Sequence, residues 1–252
     1  YGYFEESIHE EIKNIKTILK YASLKNIPMI FAITGFAAEE GTFPFHIPDL
    51  IRNIHLDGHE IASHSWKHEW FPFLEMDQII RTLEKSKMIL EQCIGVKDEV
   101  KGFVPPFSRP MSWLKKGAFS LSDRAIGPTF KGNDIQKIIP LVKNSGYKWM
   151  RVSYRTIFEK MADLNKPRTL ERDWHNESGL ICLPNNYVGF DKNAIDIINL
   201  GIKRKRDIVI SAHPSGLSRL GSENIENFKQ FLDFIIKKRS EGLIKISLLS
   251  DV

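Results

Sequence analysis

The chain has 252 residues, 42% hydrophobic and 27% charged, which excludes a disordered tail and leaves enough apolar side chain for a sizeable core. Its formal charge of +5 is spread along the chain, as on a solvated surface and not as in a nucleic-acid binder. Two cysteines, Cys93 and Cys182, exclude a disulfide framework or a clustered-cysteine zinc site and favour a reducing compartment.

In chain order, Ile8, Ile12, Ile15, Leu19 and Ala22 recur at helical spacing, and Pro28-Met29-Ile30-Phe31-Ala32-Ile33 reads as a buried strand. A helical stretch over 46–57 leads to Gly58, and Glu60-Ile61-Ala62-Ser63 reads as the next strand. Met76, Ile79, Ile80, Leu83, Met88 and Leu90 mark a long amphipathic helix. Gly102-Phe103-Val104 follows as a strand, ended by Pro105-Pro106. A long loop with Trp113, Gly117, Gly127 and Pro128 precedes a helix over 135–144. Lys148–Val152, Leu180–Leu183, Ile208–Ser211 and Ile244–Leu248 read as strands, with helices over 194–202 and 225–238 between the later ones.

Seven strand candidates alternating with helices imply a parallel sheet in one domain over residues 1–252. An open doubly wound sheet is the rival, but no Gly-x-Gly-x-x-Gly follows a strand. Lys203-Arg204-Lys205-Arg206 reads as a helix end, where cations suit the dipole; an anionic-glycan or nucleic-acid patch is the alternative. No run approaches the roughly 18 apolar residues of a membrane span. No signal peptide is visible, yet the chain begins at Tyr1 without Met, which leaves localisation open.

Three strand ends carry candidate chemistry. His64 closes one strand and His68 lies four residues on, where a helical turn would put both imidazoles on one side. Such a pair suits zinc, cobalt or nickel, although two ordinary histidines share the same spacing. His213 ends the strand Ile208–Ser211 and suits general acid work, or a capping role. Phe103-Val104-Pro105-Pro106-Phe107 fixes the chain leaving a third strand, and Phe107 could floor a sugar-sized pocket. Arg109 could reach an acidic group, and Asp173 and Trp174 could sit at the rim. Trp66, Trp70 and Trp113 could stack on sugar rings or cap the core, and His59 reads as structural. No Gly-x-Ser-x-Gly is present, which argues against a nucleophile-elbow serine hydrolase.

Gly58-His59-Glu60-Ile61-Ala62-Ser63-His64-Ser65-Trp66-Lys67-His68 closely resembles the metal-binding motif of the polysaccharide deacetylases, the NodB-homology or carbohydrate esterase four family. Val104-Pro105-Pro106-Phe107 is similar to that family's Arg-Pro-Pro-aromatic motif, and 207–216 to its last, histidine-ended motif. The resemblance implies a distorted (β/α)7 TIM-like barrel and a divalent metal, zinc before cobalt or nickel, held by His64, His68 and one Asp. It implies that His213 is the general acid that protonates the leaving amine. A carboxylate base would activate water, with Lewis-acid help and a backbone N–H near Phe107 for the oxyanion. The implied reaction removes N-acetyl or O-acetyl groups from a sugar or polysaccharide.

The chain departs from the family pattern twice. No Asp-rich opening motif is present. Tyr1-Gly2-Tyr3-Phe4 resembles the residues just after it, so the first strand, metal-binding Asp and base are expected upstream of Tyr1. Val104 stands where the family has the Arg that holds the base. Two rival readings follow: hydrolysis of another non-peptide C–N bond, such as a cyclic amide, and an inactive glycan-binding relative.

Overall fold

The computed structural model, a mixture of helices and strands, describes residues 5–39, 46–111, 118–120, 127–129, 134–154, 170 and 173–251. Trp113, Gly117, Arg172 and the Tyr1–Phe4 opening lie outside the described residues. The elements are α1 (Glu5–Lys25), β1 (Ile30–Ile33), α2 (Gly35–Glu39), α3 (Ile47–Leu56), β2 (Glu60–Ser63), α4 (Met76–Ile94), β3 (Gly102–Phe103), β4 (Ala118–Ser120), β5 (Gly127–Thr129) and α5 (Ile135–Asn144). They continue with β6 (Trp149–Arg151), β7 (His175–Glu177), β8 (Leu180–Leu183), β9 (Tyr187–Val188), α6 (Lys192–Arg204), β10 (Ile210–Ser211) and α7 (Ile225–Ser240). The chain divides into two units: Tyr1–Met29, Ile157–Asp173 and Pro184–Ser247 in one, and Ile30–Thr156, Trp174–Leu183 and Leu248–Val252 in the other.

The second unit carries a six-stranded sheet in the order β1-β2-β3-β6-β8-β7. Its strands run parallel, as the alternation with helices requires, until β7 turns back antiparallel on β8. That last pair is a hairpin through Ser178 and Gly179, both at positive φ (55° and 81°), the twist a two-residue hairpin favours. No ladder joins β7 back to β1 among the described residues.

Ala62, Val104, Trp149 and Leu183 form a buried cluster on one face of this sheet, with Ile30, Ile181 and Leu249 packed against it. Beneath it sits Glu60, which accepts hydrogen bonds from Trp149 Nε1 (2.7 Å), Leu249 N (3.1 Å) and Ser250 N (3.0 Å). A buried carboxylate is tolerable only when satisfied in this way. Gly102 is a glycine because the Trp149 indole lies across it; a Cβ there would fall 2.0 Å from a ring carbon. The opposite face meets the helices. Ser63 and Ser86 share a buried hydrogen bond (2.9 Å), and Tyr147 donates to the Leu83 carbonyl (2.9 Å). Both join the sheet to α4, whose end Gly95 caps at φ 81°.

In the first unit, Tyr21 of α1 meets Phe228 of α7 edge to face, and Phe190 packs on Phe228 and Phe231. β9 and β10 pair in parallel, Ile210 beside Tyr187. The basic run is the end of α6, with Lys203 and Arg204 in its last turn and Arg206 paired to Asp173.

The structure corrects four expectations. β4 and β5 form an antiparallel pair inside the stretch read as loop, although Gly127 and Pro128 suggested only a turn. β7 and β9 were not foreseen. Ile244–Leu248 is not a strand; its apolar alternation leads into a 3-10 turn at Leu249–Asp251.

Candidate functional site

β2 delivers the first histidine. Its residues are all buried, and the ladder to β1 continues one step further, with His64 N donating to Ile33 O (2.9 Å). His64 therefore leaves the sheet on the face that carries Ala62, at the C-terminal end of the strand. The chain then bends through Ser65 (φ 66°) and His68 (φ 62°), so no helical turn joins the two histidines. The expected geometric reason for their meeting is thus wrong, but they meet: the ring centroids are 4.8 Å apart at 66°. Left-handed backbone at a non-glycine residue is a strained state that the surroundings must impose.

The His64 Nδ1 lies 2.6 Å from the Val104 carbonyl oxygen. A carbonyl can only accept, so Nδ1 carries the proton and Nε2 the lone pair. That tautomer is the one a metal ligand needs. Val104 is itself buried in the core cluster, so its backbone is a fixed anchor.

The Pro105-Pro106 turn follows. Both prolines are buried, and Phe107 (φ 61°) and Ser108 (φ 54°) again sit in the left-handed region. The turn places the Phe107 ring 5.0 Å from His68 and 6.5 Å from Trp70. Arg109 donates to Ser153 O (3.1 Å) and Ser153 N to Ser108 O (2.7 Å), tying the chain after β3 to the chain after β6. The structure thus brings His64, His68, Pro105, Pro106, Phe107 and Arg109 to the strand ends of one sheet. Trp66 (9% exposed) and Trp70 (4%) are core caps and not open sugar platforms. His59 is buried against Phe31 (5.5 Å), and burial lowers its pKa against the pull of Asp57, which fits a structural role.

His213 belongs to the other unit, in an exposed position just after β10. Glu223 accepts from its backbone N (2.8 Å) and lies 3.0 Å from its Nδ1. Burial pushes the Glu223 carboxyl up, but the hydrogen bonds from His213 and the charges of His213 and Arg219 leave it below the usual carboxylate range. It is ionised at neutral pH, so His213 Nδ1 donates to it. Glu11 feels the same two cations, yet its burial dominates and raises its carboxyl. Asp173 is engaged by Arg206, while Trp174 is 40% exposed.

The sequence reading missed Glu223, which only a loop ten residues past His213 brings back. It also missed Arg151, a cation at the end of an otherwise apolar strand, where the charge was the available signal. A third omission is a cluster across the β7–β8 hairpin. The ligand atoms of His175, Glu177 and Cys182 lie within 4.8 Å of one another, with Tyr154 Oη 3.1 Å from His175 Nε2. Among the described residues, no third His, Cys, Asp or Glu forms such a group with His64 and His68.

The polysaccharide deacetylase family model matches residues 4–118. The uncharacterized protein YlxY of Bacillus subtilis (strain 168) is 39% identical over 67 residues, 27% of this chain, and the match spans 20% of that protein's length. Among solved structures, a putative polysaccharide deacetylase from Mycobacterium smegmatis aligns with a TM-score of 0.57 and 17% identity, over 95% of this chain and 81% of that one. The Puue allantoinase aligns with a TM-score of 0.62 and 15% identity, over 94% and 70%. At such identities the likeness shows a shared α/β fold.

Proposed function

We propose that the chain, whose residues 4–118 match the polysaccharide deacetylase family model, is a metal-dependent hydrolase that removes acetyl groups from an N-acetylated sugar or glycan. One observation carries this reading: His64 and His68 face each other 4.8 Å apart, with His64 held in the ligating tautomer by the Val104 carbonyl. These donors fit two nitrogen ligands of zinc, cobalt or nickel. When bound, such an ion supplies Lewis acidity for the acyl carbonyl and lowers the pKa of water. Other groups of the protein take further roles. Phe107 and the rigid double proline would shape the floor on which an acetamide rests, with a backbone N–H near Phe107 for the developing oxyanion; the Ser108 N–H is committed to Pro105 O (2.9 Å). By the family resemblance, His213, whose Nδ1 lies 3.0 Å from Glu223, is the candidate to protonate the departing amine.

The test uses the full chain with zinc added and an N-acetylated chito-oligosaccharide. Acetate release and stoichiometric zinc binding are both expected, and His64→Ala should weaken zinc binding by more than about 100-fold and abolish release. Undiminished release by that variant would remove the metal role. A second reading, a silent glycan-binding relative, is favoured by the lack of a third ligand beside the two histidines among the described residues. It predicts oligosaccharide binding without turnover at any zinc concentration. Turnover of cyclic imides in place of acetylated sugars would redirect the assignment to another C–N bond.

A further inference from the structure

The parallel register aligns one more layer of residues above the core cluster. Ala62, Gly102, Trp149 and Ile181 lie side by side on successive strands. Two residues further along each strand, on the same face, come His64, Val104, Arg151 and Leu183, with Arg151 directly beside Leu183. Arg151 thus stands at the C-terminal end of β6, next to the position of Val104 and two strand steps, roughly 10 Å, from His64.

This arginine is anomalous. Its Nε is fully buried and has no hydrogen-bond partner among the described residues. Neither an ion pair nor a hydrogen bond to Arg151 is formed by any described carboxylate. Desolvation pulls its pKa down to about 10, with no opposing contribution from an acidic neighbour. The residue as a whole keeps partial exposure, although its charged group is desolvated. A desolvated, uncompensated cation opposes folding. Its place at a strand end, in the row that holds His64, is where ligands of such sheets bind.

We propose that Arg151 is the specificity residue of this site and binds a carboxylate of the ligand, so that the preferred substrate is an acidic sugar or glycan. The planar fork of a guanidinium matches a carboxylate bidentately. The row offers one fixed positive charge, which a monoanion neutralises and a phosphate dianion would overshoot. The site then reads two features about two strands apart: an acetamide at the histidine pair and an acid group at Arg151. The sugar identity of the ligand rests on the deacetylase reading; the anion preference rests on Arg151.

The experiment compares two disaccharides by calorimetry, using the full chain with zinc: N-acetylglucosamine bearing a glucuronic acid neighbour, and neutral diacetylchitobiose. The acidic one should bind about 10- to 100-fold tighter, the scale of a charge-assisted hydrogen-bond pair. In Arg151→Met that ratio should fall to near one, and in Arg151→Lys it should be intermediate. The preference should also shrink as salt is raised. Because the arginine Nε has no partner among the described residues, Arg151→Met should unfold at a denaturant concentration no lower than the parent. Equal binding of the two sugars by the parent chain would overturn the proposal. So would an unchanged ratio in Arg151→Met, or a marked loss of stability in that variant, which would reveal a carboxylate of the protein itself as the partner. Failure of the deacetylase reading looks different: neither sugar would release acetate, whatever their relative affinities.

Discussion

His64 and His213 both stand just past the end of a strand, yet they are held by different acceptors. His64 is anchored at Nδ1 by the neutral Val104 carbonyl, in a backbone fixed by the core cluster. His213 has a side chain 72% exposed and is anchored at Nδ1 by the ionised Glu223. A carbonyl fixes the tautomer without adding a charge, which suits an imidazole that must stay neutral to donate a lone pair. A carboxylate fixes the same tautomer and also stabilises the imidazolium, which suits a group that must give up a proton. The acceptor at Nδ1 would therefore separate the two proposed roles, ligand for His64 and acid for His213.

The contrast depends on the His64 side being rigid, and its base is Glu60 with its three donors. Glu60→Ala leaves the Trp149 indole and two backbone N–H groups without their acceptor and opens a cavity beneath Ala62. It should lower stability by about 3–5 kcal/mol, the scale for breaking a buried charged interaction. Urea unfolding at 25 °C measures this, and a loss below about 1 kcal/mol would mean that the layer under His64 is not what holds it. The other side breaks more gently. Glu223→Gln keeps an acceptor beside His213 but removes the charge. It should lower turnover by about 10²-fold with zinc affinity unchanged, and the alkaline limb of the pH–rate profile should move to lower pH. A profile that keeps its shape would assign Glu223 to loop structure alone.

Much of the His64 side was legible in the sequence. Glu60-Ile61-Ala62-Ser63 is a strand of four residues with its bounds as read, because a short apolar run between Gly58 and a polar turn has few other fates. The pairing of His64 with His68 was also legible, but not its cause: spacing suggests a helical turn, whereas the backbone uses positive φ at Ser65 and His68, which no periodicity encodes. Short elements escaped for a related reason. β9 has two residues and β7 three, too few to show alternation, and the Ser178-Gly179 turn that creates the β7–β8 hairpin lies next to a run read as an isolated strand. The converse error occurred at Ile244–Leu248, where alternation exists but no partner strand takes it up among the described residues. The anchors were invisible altogether. Glu223 reaches His213 across a loop, and Val104 reaches His64 through a main-chain atom that every residue possesses.

The finest test of the two-anchor comparison lies in the acids of the His213 unit, where Glu11 and Glu223 feel the same cations yet end with net shifts of opposite sign. Glu223 has a folded pKa below its unfolded value, so its contribution to stability is present above the ordinary carboxylate range and is lost as pH falls through the folded value. Glu11 has a folded pKa above its unfolded value, because burial outweighs His213 and Arg219. Its contribution is full below the ordinary carboxylate range and is lost as pH rises through the folded value. At neutral pH an ionised Glu11 therefore opposes folding. Glu11→Gln should raise the melting temperature there by a small amount, under about 1 kcal/mol in stability, because attraction to His213 and Arg219 offsets part of the cost of burial. The gain should shrink to nothing as pH drops below the carboxylate range, where the parent side chain is protonated too. Thermal melts of Glu11→Gln and the parent from pH 3 to pH 8 decide the matter. A variant less stable than the parent at pH 7 would mean that attraction to His213 and Arg219 exceeds the cost of burial, making Glu11 a second carboxylate anchor beside the exposed histidine.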